Sequence, residues 1–181
     1  MLEALIESFP FVIRGFHADN GSEYINHRVA RLLGKLHVQE FTKSRARRTN
    51  DNALVESKNA SVVRKHLGYA HIPGRCAQPV NHFTHNVLSP YLNFHRPCFF
   101  PTEQIDATGR LRKHYRYEDM MTPYDKLKSL PDADHYLKPG IDLQQLDVIA
   151  NAMSDNEAAR HLNQARAELF RSINNTQQPA A

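Results

Sequence analysis

The chain has 181 residues, 41% of them hydrophobic, with a formal net charge of +4; this suits one modest globular domain with a tail and excludes a low-complexity or fibrous chain. Two cysteines, Cys76 and Cys98, make no disulfide framework, no apolar stretch reaches the length of a membrane span, and the N-terminal MLEALIESF carries acids where an export signal carries bases. These features predict a cytoplasmic chain with no membrane partner.

In chain order, residues 2–8 read as the end of a helix through Leu2, Leu5 and Ile6, stopped by Pro10. Residues 11–18 form an apolar run of strand length ending at Asp-Asn-Gly, and this spacing predicts a buried strand. Residues 25–36 place Ile25, Val29, Leu32, Leu33 and Leu36 at helical intervals, with Arg28, Arg31 and Lys35 left for solvent. A short strand is expected over 37–42, then the basic loop KSRARRTNDN, then a helix bearing Val55, Val62 and Val63 and capped by Asn50, Asp51 or Asn52.

After Pro73-Gly74, residues 80–94 repeat a helical pattern through Phe83, Val87, Leu88, Tyr91 and Leu92. Residues 109–117 alternate bases with aromatics, as an exposed strand or hairpin does. The tail predicts helix: Leu143, Leu146, Ile149 and Met153 form a stripe, and Ser154 with Glu157 makes a capping box for residues 158–173. Residues 174–181 read as disordered. The expected organisation is therefore 1–108 as a core, 109–139 as a basic and aromatic extension, 140–173 as a helical tail and 174–181 as an unstructured end.

Charge is unevenly placed. Residues 1–117 hold 17 Lys and Arg against 9 Asp and Glu (17 − 9 = +8), and residues 118–181 hold 6 against 10 (6 − 10 = −4). A basic body followed by an acidic appendage fits a polyanion partner such as nucleic acid, although ordinary charge scatter gives the same composition.

Strand and helix alternate over residues 11–67, which predicts an α/β layer with reactive groups gathered at strand ends. Asp19 stands at such an end. Glu56 falls near the start of a predicted helix 37 positions on (56 − 19 = 37). Two carboxylates brought together can share Mg²⁺ ions about 3.5–4 Å apart for phosphoryl transfer. Turn chemistry at Asp-Asn-Gly and the helix dipole acting on Glu56 explain the same residues without a metal.

The surrounding words decide between these. HADNGSEYIN at 17–26, TNDNALVESKN at 49–59 and YLNFHRPCFFPTE at 91–103 occur in that order, and together they resemble the integrase catalytic core shared by retroviral-type integrases and insertion-sequence transposases. The resemblance covers residues 1–130. It implies the C-terminal part of a ribonuclease-H-like fold, a mixed sheet flanked by helices, followed here by a helical tail. It implies DNA strand transfer, with Asp19 and Glu56 as catalytic metal ligands for Mg²⁺ or Mn²⁺, and a homo-oligomer working on element ends and target DNA.

Asn59, three positions after Glu56, would share its helical face and hold the carboxylate or a phosphate. Lys43, Arg45, Arg47 and Arg48 in the intervening loop, and Lys58, Arg64 and Lys65 on the helix, would contact DNA. The family's first catalytic Asp lies upstream of the helix that residues 2–8 end, and no Asp precedes Asp19. The chain thus reads as inactive alone, as the C-terminal part of such an enzyme. Two other classes stay open: a non-catalytic DNA-binding or assembly remnant of a mobile element, and a metal nuclease of the same fold. Neither His66, His71 and Cys76 nor His82, His85 and Cys98 contains the Cys-x-x-Cys pair expected of structural zinc. Arg110, Arg112, Lys113 and Arg116, interleaved with Tyr115 and Tyr117, suit either stacking on DNA or an ordinary amphipathic hairpin.

Overall fold

A computed structural model of the chain describes residues 9–18, 27–35, 38–43 and 59–177. The fold is mixed α/β with small sheets, and the chain divides into two compact units, Met1–His71 and Ile72–Ala181.

In the first unit, β1 (Gly15–Ala18) and β2 (Glu40–Lys43) pair in parallel, with α1 (His27–Lys35) between them in sequence. A parallel pair needs such a crossover, because a tight turn can join only antiparallel strands. The register sets Gly15 beside Glu40, Phe16 beside Phe41, His17 beside Thr42 and Ala18 beside Lys43. It is started by the Arg14 carbonyl, which accepts from the amides of Gln39 (3.0 Å) and Glu40 (2.9 Å). Helix α1 follows its periodicity: Leu33 is buried, Val29 and Leu32 are half-buried, and Arg28, Arg31 and Lys35 are exposed.

The strands are shorter and wetter than the apolar runs predict. β1 begins at Gly15 rather than residue 11, Val12 is 40% exposed, and of β1 only Ala18 is fully buried. β2 starts at Glu40 and is exposed along its whole length. Apolar runs are buried on both faces only where layers cover both faces of a parallel sheet. Among the described residues this sheet has two strands.

Residues Asn59–Arg64 form a wide π-helical turn that runs into α2 (Lys65–Leu67), and Gly68 ends it at φ +77°. Of the expected valine stripe, Val55 lies outside the described residues, Val62 is half-buried and Val63 is 46% exposed.

The second unit is organised around one interrupted helix. A 3₁₀ turn at Gly74–Cys76 leads into α3 (Ala77–Phe83), and the helical path continues through π turns at Thr84–Leu88 and Tyr91–His95. Pro90 sits between the two π turns; it has no N–H and its ring displaces the carbonyl a turn earlier, so the helix widens around it. Arg96 leaves the helix in extended conformation (φ −106°, ψ 102°), as a residue preceding proline must.

Next come β3 (Cys98–Phe99), which pairs with β6 (Met120–Met121), and the hairpin of β4 (Thr102–Ile105) and β5 (Leu111–His114). Thr122 caps α4 (Pro123–Lys128): its hydroxyl accepts from the Asp125 amide at 3.0 Å, and Pro123 fills the first helical position, where a missing N–H costs nothing. Asp142 caps α5 (Leu143–Ala150) in the same way, at 2.7 Å from the Gln145 amide.

Last is α6 (Asp155–Gln177), which begins at the expected capping box: the Ser154 amide donates to Glu157 Oε2 at 2.8 Å. It runs through residues 174–177, past the point at which the sequence reads as disordered. Its stripe of Ala158, Leu162, Leu169 and Ile173 is buried, and it packs on α3 and both π turns, where Phe83, Leu88 and Phe94 are buried. Each such Leu or Ile contributes roughly 1.5–3 kcal/mol by leaving water. In α5 the predicted stripe is thinner: Leu146 is buried, whereas Ile149 and Met153 are exposed.

Candidate functional site

The C-terminal ends of parallel strands are where α/β sheets gather reactive groups. In the first unit that edge is formed by Ala18 and Lys43, which lie side by side in the register. Just inside it, His17 Nδ1 and Thr42 Oγ1 are 2.8 Å apart, a cross-strand hydrogen bond whose donor depends on the imidazole tautomer. Asp19 follows Ala18 in sequence. Asp19, Glu56, Arg45, Arg47, Arg48 and Lys58 lie outside the described residues, as does the side chain of Asn59.

The remaining predicted DNA-contacting residues lie among the described ones. Lys43 ends β2 and is exposed. Arg64 and Lys65 are exposed at the junction of the π turn and α2, and the Arg64 guanidinium lies over the Tyr69 ring at 5.2 Å from its centroid. Tyr69 is 82% exposed. This cation–π pair holds Arg64 at the surface with its charge available to an anion.

Among the described residues no three His, Cys, Asp or Glu side chains gather in a group able to hold a metal ion. His82 instead faces its helical neighbour Asn86, Nδ1 to Nδ2, at 3.0 Å.

The second unit turns sequence features into anchors. In the Arg-Pro segment, His95 is buried, and its Nδ1 lies 3.1 Å from Asp155 Oδ1 in the first turn of α6. The segment thereby ties the end of the interrupted helix to the tail sixty residues later. The Tyr124 ring is 1% exposed and packs against Phe94 at 5.2 Å. Its hydroxyl donates to the Leu143 carbonyl (3.0 Å) and to Asp147 Oδ1 (2.8 Å), while Lys128 Nζ donates to both oxygens of Asp147 at 2.6 and 2.7 Å. Burial, reinforced by Asp147, pushes the Tyr124 phenol well above its ordinary range. Lys128, and then Tyr124, hold the Asp147 carboxyl below the usual carboxylate range. Sequence reading missed this network, although Thr122-Pro123 is a helix-start signal that would have located α4.

The 109–117 stretch is an exposed hairpin, as its alternation predicts. Asp106 organises its turn: Oδ1 accepts from the Thr108 hydroxyl (2.6 Å) and the Thr108 and Arg110 amides, and Oδ2 accepts from Arg112 Nε at 3.0 Å. The Thr108 hydroxyl foremost keeps the Asp106 carboxyl far below its usual range. Arg116 is held by Glu118 at 2.7 Å and Asp119 at 3.2 Å. Arg112 and Arg116 are therefore neutralised locally, which weakens the case for this hairpin as a phosphate grip.

No family profile matches the chain, and no solved structure matches it. It is 36% identical over 107 residues to the uncharacterized protein y4rM of Sinorhizobium fredii, a match taking in 59% of the chain and 30% of that protein. The chain thus spans less than a third of that relative's length. Among the described residues no helix is long and apolar enough to cross a membrane.

Proposed function

We propose that the chain is the C-terminal part of an integrase-type catalytic core of ribonuclease-H-like fold, whose complete form joins DNA strands by two-metal phosphoryl transfer. The observation that carries this reading is the parallel β1–α1–β2 unit: the HADNG word begins on its last two strand residues, His17 and Ala18, and the basic loop begins where β2 ends beside them. Asp19 and Glu56 are the metal ligands, with Asn59 supporting Glu56, and Mg²⁺ or Mn²⁺ is the ion. Lys43, Arg64 and Lys65, with Arg45, Arg47, Arg48 and Lys58, neutralise DNA phosphates. Asp19 and Glu56 are two carboxylates of the proposed triad, so the chain alone is expected to bind DNA and metal without joining strands.

The test combines three measurements on the purified chain. Binding to duplex DNA should weaken steeply with salt, with a slope of about −0.9 for each phosphate neutralised. Mn²⁺ titration should give a site that Asp19→Asn and Glu56→Gln each abolish. Strand joining in Mg²⁺ should be undetectable. Salt-sensitive binding unchanged by Mg²⁺ and by Asp19→Ala would reassign the chain as a non-catalytic DNA-binding remnant, and hydrolysis without joining would make it a nuclease.

A further inference from the structure

Five of the twelve large apolar side chains exposed among the described residues, Phe99, Ile105, Leu111, Tyr115 and Tyr117, cluster on or beside the β4–β5 hairpin. Ile105 is 73% exposed, Leu111 60% and Tyr117 84%. In an antiparallel pair, residues directly opposite share a face. The register sets Ile105 opposite Leu111 and Glu103 opposite Lys113, and these four therefore lie on one face. Phe99 extends the apolar surface at the base of the ribbon, its ring meeting Tyr115 at 6.3 Å and Tyr117 at 5.4 Å, both edge-on. In the Cα pairing of the described residues each strand of the hairpin has one neighbour, leaving its outer edge unpaired.

Asp106, Arg112, Arg116, Glu118 and Asp119 are engaged with one another. Glu103 and Lys113, in the middle of the apolar face, are exposed and join no ion pair or hydrogen bond among the described residues. Across residues 102–119 four acids balance four Lys and Arg (4 − 4 = 0), which disfavours a polyanion as the occupant.

We propose that this face binds a second copy of the chain, forming a two-fold dimer through stacked hairpins. The pattern fixes the orientation. With both hairpin turns at the same end, the two-fold axis runs along the strands, and each row meets its complement: Ile105 lies over Leu111 of the second copy, and Glu103 over Lys113. With the turns at opposite ends no two-fold axis sets both rows on their complements: an axis through the Glu103–Lys113 row sets Glu103 over Glu103 and Lys113 over Lys113, which repel, and an axis elsewhere leaves the two charges facing apolar side chains or solvent. Two strands of four residues each present a small face, so the dimer is weak and depends on concentration. This inference uses none of the residues assigned to strand transfer, and its test is independent of that reading.

The test is sedimentation velocity on the full chain, with circular dichroism to verify that each variant keeps its helix content. The wild-type chain should shift from monomer to dimer as its concentration rises. Glu103→Lys and Lys113→Glu should each remain monomeric, since each sets like charges across the two-fold axis. An equimolar mixture of the two variants should recover the dimer, because each then supplies what the other lacks. A wild-type chain that stays monomeric at the highest soluble concentration, or a mixture that fails to associate, would overturn the proposal. So would a monomeric chain in which Tyr117→Ala selectively abolishes single-stranded DNA binding, which would assign the surface to nucleic acid.

Discussion

The two units differ in what they hold. Among the described residues, twelve of the fourteen buried apolar side chains lie in residues 72–181, and two, Ala18 and Leu33, lie in residues 1–71. The first unit carries two of the three motif words and the basic loop, while the second carries the third word, the packed helices and the Tyr124–Asp147–Lys128 network around the buried Tyr124 ring. In the proposed reading the two metal-binding carboxylates fall in the first unit, and most of the described core falls in the second. A catalytic edge needs open strand ends and tolerates little cover, whereas a core needs the opposite.

This division can be broken by mutation. Leu162→Ala, in the middle of the α6 stripe, should lower the unfolding free energy by about 2–5 kcal/mol in urea denaturation. DNA affinity measured well below the melting temperature should not change; a parallel loss would show that the two stretches do not act separately. Tyr124→Phe keeps the ring and removes the hydroxyl, leaving the Leu143 carbonyl without this donor, while Lys128 still donates to both Asp147 oxygens. It should cost about 1–3 kcal/mol by the same measurement.

A smaller effect is expected at the α6 cap, where Ser154→Ala should cost about 1 kcal/mol, read as a lowered thermal midpoint. Asp19→Asn should change stability by no more than about 0.5 kcal/mol while abolishing the Mn²⁺ site, and a large stability change would mean that Asp19 holds the fold rather than a metal.

The pH response sharpens the same contrast. Asp147, Asp106 and Glu157 are all held below the usual carboxylate range. A carboxyl whose folded pKa is depressed contributes stability that is present above its unfolded pKa and lost as pH falls through the folded one. Thermal midpoints should therefore fall once pH drops below about 4, and Asp147→Asn should flatten part of that acid limb.

What could be read from the sequence follows from how far apart the interacting residues lie. The Ser154–Glu157 box spans three residues, the α1 face repeats within three turns, and the 109–117 alternation is local, so each was legible. The His95–Asp155 and Tyr124–Asp147 contacts bridge sixty and twenty-three residues, and no periodicity announces them. The exposure of β2 and of Val63 was hidden for another reason: an apolar residue says that it prefers cover, but only its neighbours decide whether cover exists. At the candidate site, spacing alone offered two carboxylates with an ordinary turn and cap explanation. The words around Asp19 and Glu56 carried the assignment, and Lys43, Arg64 and Lys65 are the predicted contacts whose side chains the structure describes.

The buried phenol of Tyr124 has a consequence for watching this molecule at work. Its folded pKa is raised, so it contributes stability that is complete below the ordinary tyrosine range and lost as pH rises through the folded value. It ionises freely only when the helices around it part. Tyrosinate absorbs where neutral tyrosine does not, so a jump to alkaline pH makes the delayed part of the ultraviolet signal a clock for the opening of the second unit. The chain has no tryptophan, and this single ring supplies an optical reporter of its core with no label attached.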